Sequence, residues 1–147
     1  GYSVAWAADM SEKSWQWDNG YAILPQLKTE ANMTAKEKER WKRLPDADRE
    51  SVLYEFFGPQ PEIEVTQKVR QQMFDSFETV DDHLMVIVGL AKDQKGNKYY
   101  KVKNSFGTNQ IYDGYIYISS AYFRAKTIDI MVHKDGVPAS VQSKIVK

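Results

Sequence analysis

Apolar positions along this chain follow three patterns, and each predicts a different element. Near-continuous runs come first. Ser3 to Asp9 (Ser-Val-Ala-Trp-Ala-Ala-Asp) reads as a buried strand. Leu84 to Ala91 is almost wholly apolar, which suits a strand covered on both faces. Helical spacing is the second pattern. Val65, Val69, Met73 and Phe77 stand at four-residue steps, one stripe of a helix that starts near Thr66. A stripe of that composition reads as core. Val52, Leu53, Phe56 and Phe57 gather on one face of another helix, with Asp48, Arg49 and Glu50 toward water. Pro45-Asp46 opens that helix and Gly58-Pro59 stops it. The third pattern is alternation. From Gly114 to Ser119, Tyr115 and Tyr117 share one face and Ile116 and Ile118 the other. Tyr99 to Val102 and Thr127 to His133 read as two further strands.

Polar punctuation connects these elements. Asp18-Asn19-Gly20 is a turn signal, and the flanking Trp15, Trp17 and Tyr21 read as packing aromatics. Thr34 and Glu37 have capping-box spacing and open a charged helix through about Arg43. Asp93 to Asn97 reads as a hairpin turn; the acidic ladder of a calcium loop is absent there. Ser120 to Ala125 reads as a short helix or turn, and the tail from Pro138 as weakly helical. The sum is one domain over residues 1–147. It runs strand, mostly helical insertion over 25–77, then antiparallel meander. That is an α+β fold with a sheet or half-barrel core.

Composition narrows the class. The 147 residues carry 42% hydrophobic residues and no net charge, which describes an ordinary globule rather than a disordered tail. Non-specific nucleic-acid binding needs a basic surface that this balance does not provide. No apolar run reaches the ~20 residues of a membrane span, and no signal-peptide pattern is visible. The Gly-Tyr-Ser start without Met reads as that of an excised or processed piece. There are no cysteines, which excludes disulfides, thiolate metal sites and a thiol nucleophile supplied by this chain. Two histidines, His83 and His133, leave little for a histidine metal site. His133 lies beside Lys134 and Asp135 at a strand end and reads as a surface residue.

His83 opens the apolar run and Asn104 closes the next strand. Each alone has an ordinary structural reading, at a strand edge and in a turn. Their contexts together point further. Asp82-His83 precedes the apolar strand, Val102-Lys103-Asn104-Ser105-Phe106-Gly107 ends the returning one, and Gly114-Tyr115-Ile116-Tyr117 follows. This pattern resembles the second half of the papain-like cysteine peptidases. Ser3 to Ile23 is similar to that family's first barrel strand and the aromatic, glycine-containing turn after it. Within the family, three stretches resemble the bleomycin hydrolase and aminopeptidase C branch. They are Arg70-Gln71-Gln72-Met73-Phe74-Asp75 with Asp81-Asp82-His83, the run from Ala91 to Tyr100, and the run from Lys126 to Lys134.

The resemblance implies peptide hydrolysis through a thioester. His83 would be base and acid, Asn104 its orienter, Phe106 a shield for their hydrogen bond, and Asp82 an electrostatic or turn residue. Leu84 would line the substrate pocket. No metal or cofactor is implied. The implied partners are a peptide substrate and an N-terminal, Cys-bearing domain outside this chain. Four departures accompany it: no cysteine, Phe106 where the family has Trp, Leu84 where it has a small residue, and no recognisable C-terminal arm. They keep open an alternative, a non-catalytic or truncated papain-like module that binds rather than cleaves. They also lead to the expectation that the face around His83, Leu84 and Phe106 is apolar enough to drive self-association.

Overall fold

A computed structural model describes residues 1–56 and 58–145. Among these residues seven strands form one sheet: β1 (Val4–Ala8), β2 (Trp15–Gln16), β3 (Tyr21–Ala22), β4 (His83–Lys92), β5 (Lys98–Lys103), β6 (Tyr115–Ser119) and β7 (Thr127–Val132). Their spatial order is β2-β3-β6-β5-β4-β1-β7. The β4-β5-β6 portion is the expected antiparallel meander. The next strand does not extend it. β7 crosses to the far side and pairs antiparallel with β1, leaving β1 between β4 and β7. β3 pairs with β6 in parallel.

Among the described residues five α-helices accompany the sheet: α1 (Ala35–Arg43), α2 (Asp46–Val52), α3 (Gln67–Asp75), α4 (Ser120–Lys126) and α5 (Ala139–Ile145). Capping fixes several of their starts. The Thr34 hydroxyl accepts from the Glu37 amide, and the Glu37 carboxylate accepts from the Thr34 amide at 2.8 Å. Thr66 caps α3 through the Val69 amide, and Ser119 caps α4 through the Tyr122 amide.

The core lies on one face of the sheet. Trp6, Met85, Val102, Ile116 and Ile118 point into it, and Tyr122 of α4 closes over them. Trp15, Trp17, Ile87, Tyr100 and Phe123 pack around that centre. The alternation of β6 holds: Ile116 and Ile118 are buried while Tyr115 and Tyr117 stand on the other face.

That other face is open, and it corrects the reading of β4. Leu84, Val86 and Val88 are exposed while Met85 is buried, so this strand is covered on one side only. The apolar run suited two-sided burial, but α4 packs against β5 and β6 from the core side alone.

The helical stretch differs from expectation in three places. α2 ends at Val52 and does not run to Gly58; Leu53 and Phe56 follow it outside the helix, and Phe57 lies outside the described residues. Arg49 does not simply face water. Its guanidinium lies 5.1 Å from the Trp41 ring centroid and donates to the Trp41 carbonyl, tying α2 to α1. The Val65–Phe77 stripe is not core. α3 stops at Asp75, Phe77 has φ +61°, and its side chain is 83% exposed. None of α1, α2 and α3 buries a residue. The stretch is clamped at its neck, where Leu24 and Ile63 share a backbone bond and Glu62 accepts from the Leu24 amide and the Ser119 hydroxyl.

Candidate active site

His83 is the first residue of β4 and sits opposite Ala8 of β1. Asn104 directly follows β5, and its amide donates to the Gly114 carbonyl at 3.1 Å. Because β4 and β5 are neighbours in the sheet, residues 21 apart in sequence meet. His83 Nε2 lies 2.7 Å from Asn104 Oδ1. The Ser105 amide donates to the same atom, also at 2.7 Å. An atom that accepts from a backbone N–H is the amide oxygen, so Nε2 of the imidazole carries the proton and donates it. Nδ1 is then the acceptor nitrogen of the neutral ring. It makes no hydrogen bond among the described residues.

Phe106 covers this pair. Its ring centroid is 5.0 Å from that of His83, tilted by 32°. Trp17 meets Phe106 edge-on at 5.4 Å. Trp17 thus supports the cover from behind, a role that its packing signal in the sequence did not specify. Asn104 is buried and Phe106 is 47% exposed, so the hydrogen bond is sheltered while one side of the aromatic pair meets solvent. The Asn104 Nδ2 donor group has no partner among the described residues.

Asp82 makes no hydrogen bond to His83. Its Oδ1 accepts from the Met10 amide at 2.9 Å. Burial pushes its pKa up, and the neighbouring Asp9 carboxylate adds to that. Leu84 is 64% exposed on the open face of the sheet, opposite Ala7. His133 stacks on Tyr2 at 5.0 Å, away from the pair. A cleft of about 1130 Å³ lies between Tyr54, Phe56 and the tyrosines Tyr21, Tyr99 and Tyr117; neither His83 nor Asn104 lines it. No group of three or more His, Asp or Glu among the described residues is arranged to hold a metal ion. No helix among them is long and apolar enough to cross a membrane.

Behind the pair lies a buried polar cluster that sequence reading missed. Asp9 accepts from the Ser11 amide at 2.7 Å, the Ser11 hydroxyl at 2.6 Å and the Val80 amide at 3.1 Å. Lys126, with no exposed side-chain surface, lies 3.6 Å from it. Burial raises the Asp9 pKa, but these hydrogen bonds and the lysine charge outweigh burial and hold it below the ordinary 3.8. A folded value below the unfolded one gives stability that is present above about pH 4 and lost as pH falls through the folded value. Asp9→Asn should therefore cost about 3 kcal/mol at pH 7, and the gap to the parent chain should narrow below pH 4. Urea midpoints at pH 7 and pH 3 check this; a gap that does not change with pH would contradict it.

An imidazole fixed at Nε2 and open at Nδ1 can take a proton from one group and pass it to another at Nδ1, without rotating. Comparison with known proteins gives this arrangement its setting. The peptidase C1-like family matches over residues 53–147. The chain belongs to that family, and its α+β fold is that of the papain-like peptidases. Among solved structures, the crystal structure of PepW from Lactobacillus rhamnosis HN001 is similar to 96% of this chain, with 22% identity and a TM-score of 0.54. The chain spans 25% of the length of that protein. No curated protein matches it.

Proposed function

We propose that this chain carries the proton-transferring part of a cysteine peptidase site, of the bleomycin hydrolase and aminopeptidase C branch, whose thiol comes from polypeptide outside it. The observation that carries this reading is the 2.7 Å bond from His83 Nε2 to Asn104 Oδ1, with Nδ1 left to face a nucleophile. The chain itself contains no cysteine.

In this reading a thiol placed against Nδ1 gives up its proton there, and the imidazolium stabilises the thiolate. The thiolate attacks the peptide carbonyl carbon. The Nδ1 proton passes to the leaving amine as the C–N bond breaks and a thioester remains. Nδ1 then takes a proton from water, whose oxygen attacks the thioester and releases the acid and the thiol. Asn104 holds the ring in one tautomer and one rotation through the cycle. Phe106 keeps water off that bond. Asp82 serves the turn before His83 by accepting from Met10, rather than touching the imidazole.

The open sheet face supports the same reading. Leu84, Val86 and Val88 stand exposed beside the histidine, which suits a face completed by a further domain, with Leu84 toward the substrate. A second reading, a papain-like module that binds and does not cleave, is favoured by the absent cysteine and by the bulk of Leu84. Reconstitution separates the two. Mixed with a Cys-bearing half from the same branch, the chain should yield peptidyl-reporter hydrolysis that iodoacetamide abolishes, and neither half alone should turn over. Association of the halves without turnover would leave the binding module as the better reading.

A further inference from the structure

Lys126 ends α4 with its side chain wholly buried. Its ammonium donates to the Glu78 carbonyl, pairs with the Glu12 carboxylate and lies 3.6 Å from Asp9 Oδ2. A buried ion pair is poor value as a source of stability, because an apolar side chain of the same volume serves packing as well or better. The other contacts around it show what it holds. The Thr79 hydroxyl donates to the Ala125 carbonyl at 3.5 Å, the Val80 amide to Asp9, and the Met10 amide to Asp82.

Each of these bonds ties residues 78–82 to the end of β1 or the end of α4, and the next residue is His83. Little apolar packing helps there: Phe77 is 83% and Val80 37% exposed. The approach of the chain to His83 is therefore set by polar contacts, two of which, at the Glu78 carbonyl and through the Asp9 carboxylate, run to one lysine.

We propose that Lys126 is a positioning residue for His83: through the Glu78 carbonyl and the Asp9 carboxylate it locks residues 78–82, and so fixes the imidazole against Asn104. The meaning of this role rests on the peptidase reading, but its test does not use hydrolysis. With only two histidines in the chain, the ring protons of His83 can be followed by NMR with His133 as an internal reference. In the parent chain the His83 Nε2 proton, held by Asn104, should exchange slowly with solvent.

In Lys126→Met that proton and the Val80 amide should exchange roughly tenfold faster or more, as expected for loss of a charge-assisted bond. The amides of Val102 and Ile116, in the sheet core, should keep their protection. Glu12→Gln alters a partner that lies at the surface edge of the cluster, so it should fold even if Lys126→Met does not. Its effect should be smaller and confined to the same protons. Unchanged exchange at His83 in a folded Lys126→Met, or acceleration spread evenly over the core amides, would overturn the proposal. If Lys126→Met does not fold, the same two outcomes in Glu12→Gln decide. A reconstituted enzyme without turnover would sink the peptidase reading and leave this result standing; an unchanged Nε2 proton would do the reverse.

Discussion

In an enzyme reconstituted with a Cys-bearing half, His83→Ala should lower kcat by on the order of 10⁴-fold. In the proposed cycle the imidazole takes up and gives back a proton twice at one nitrogen, and no other imidazole stands beside Asn104 among the described residues; His133, the second histidine, is stacked on Tyr2 elsewhere. Asn104→Ala should cost less, roughly 10²-fold. It removes the acceptor of Nε2–H and frees the ring to rotate and to exchange tautomers, but the ring can still carry a proton. The graded pair is the informative result. Equal losses would mean that orientation, and not proton transfer, limits the reaction. Turnover at the parent rate in His83→Ala would remove the histidine from the mechanism. Thermal unfolding should accompany both variants, since His83→Ala also gives up its contact with Phe106.

Much of the geometry of the candidate site was legible because its signals are local. Asp82-His83 and Asn104-Ser105-Phe106-Gly107 each sit where a strand begins or ends, and the change of hydrophobic period at His83 marked the strand correctly. The hairpin at Asp93 was equally local: its carboxylate accepts from the Lys95 and Asn97 amides, both at 2.9 Å. What stayed hidden is long-range. Nothing in the alternation of Thr127 to Val132 says that β7 leaves the meander and pairs with β1, because pairing partners are chosen by the tertiary fold and not by periodicity. The apolar run of β4 could not reveal that Leu84, Val86 and Val88 face an uncovered side. Phe77 kept helical spacing, yet the helix ends two residues before it. Lys126 was the least readable. A charged residue in a short helix reads as solvated, and only the convergence of Asp9, Glu12 and the Glu78 carbonyl, from separate parts of the chain, makes its burial tenable.

A stability loss as large as that of Asp9→Asn should come from Gly114→Ala. Gly114 has φ +82°, in the region that favours glycine, and an added Cβ would stand 2.4 Å from the Gly107 carbonyl oxygen. Lys103 Nζ, at 2.6 Å, belongs to a flexible side chain and can move aside; the backbone oxygen cannot without shifting its loop. That loop follows Phe106, and the Gly114 carbonyl is the acceptor for the Asn104 amide. The clash therefore acts on both sides of the His83–Asn104 bond at once. Backbone strain and overpacking together should cost about 3 kcal/mol. Gly96→Ala is the control. Its φ is +83°, but an added Cβ there meets nothing within 4 Å, so only the conformational strain remains. It should cost about 1 kcal/mol, and the His83 Nε2 proton should keep its protection in that variant and lose it in Gly114→Ala. Equal shifts in urea midpoint for the two would mean that the Gly107 loop yields freely, and that the close approach of the two glycine segments does not hold Asn104 in place.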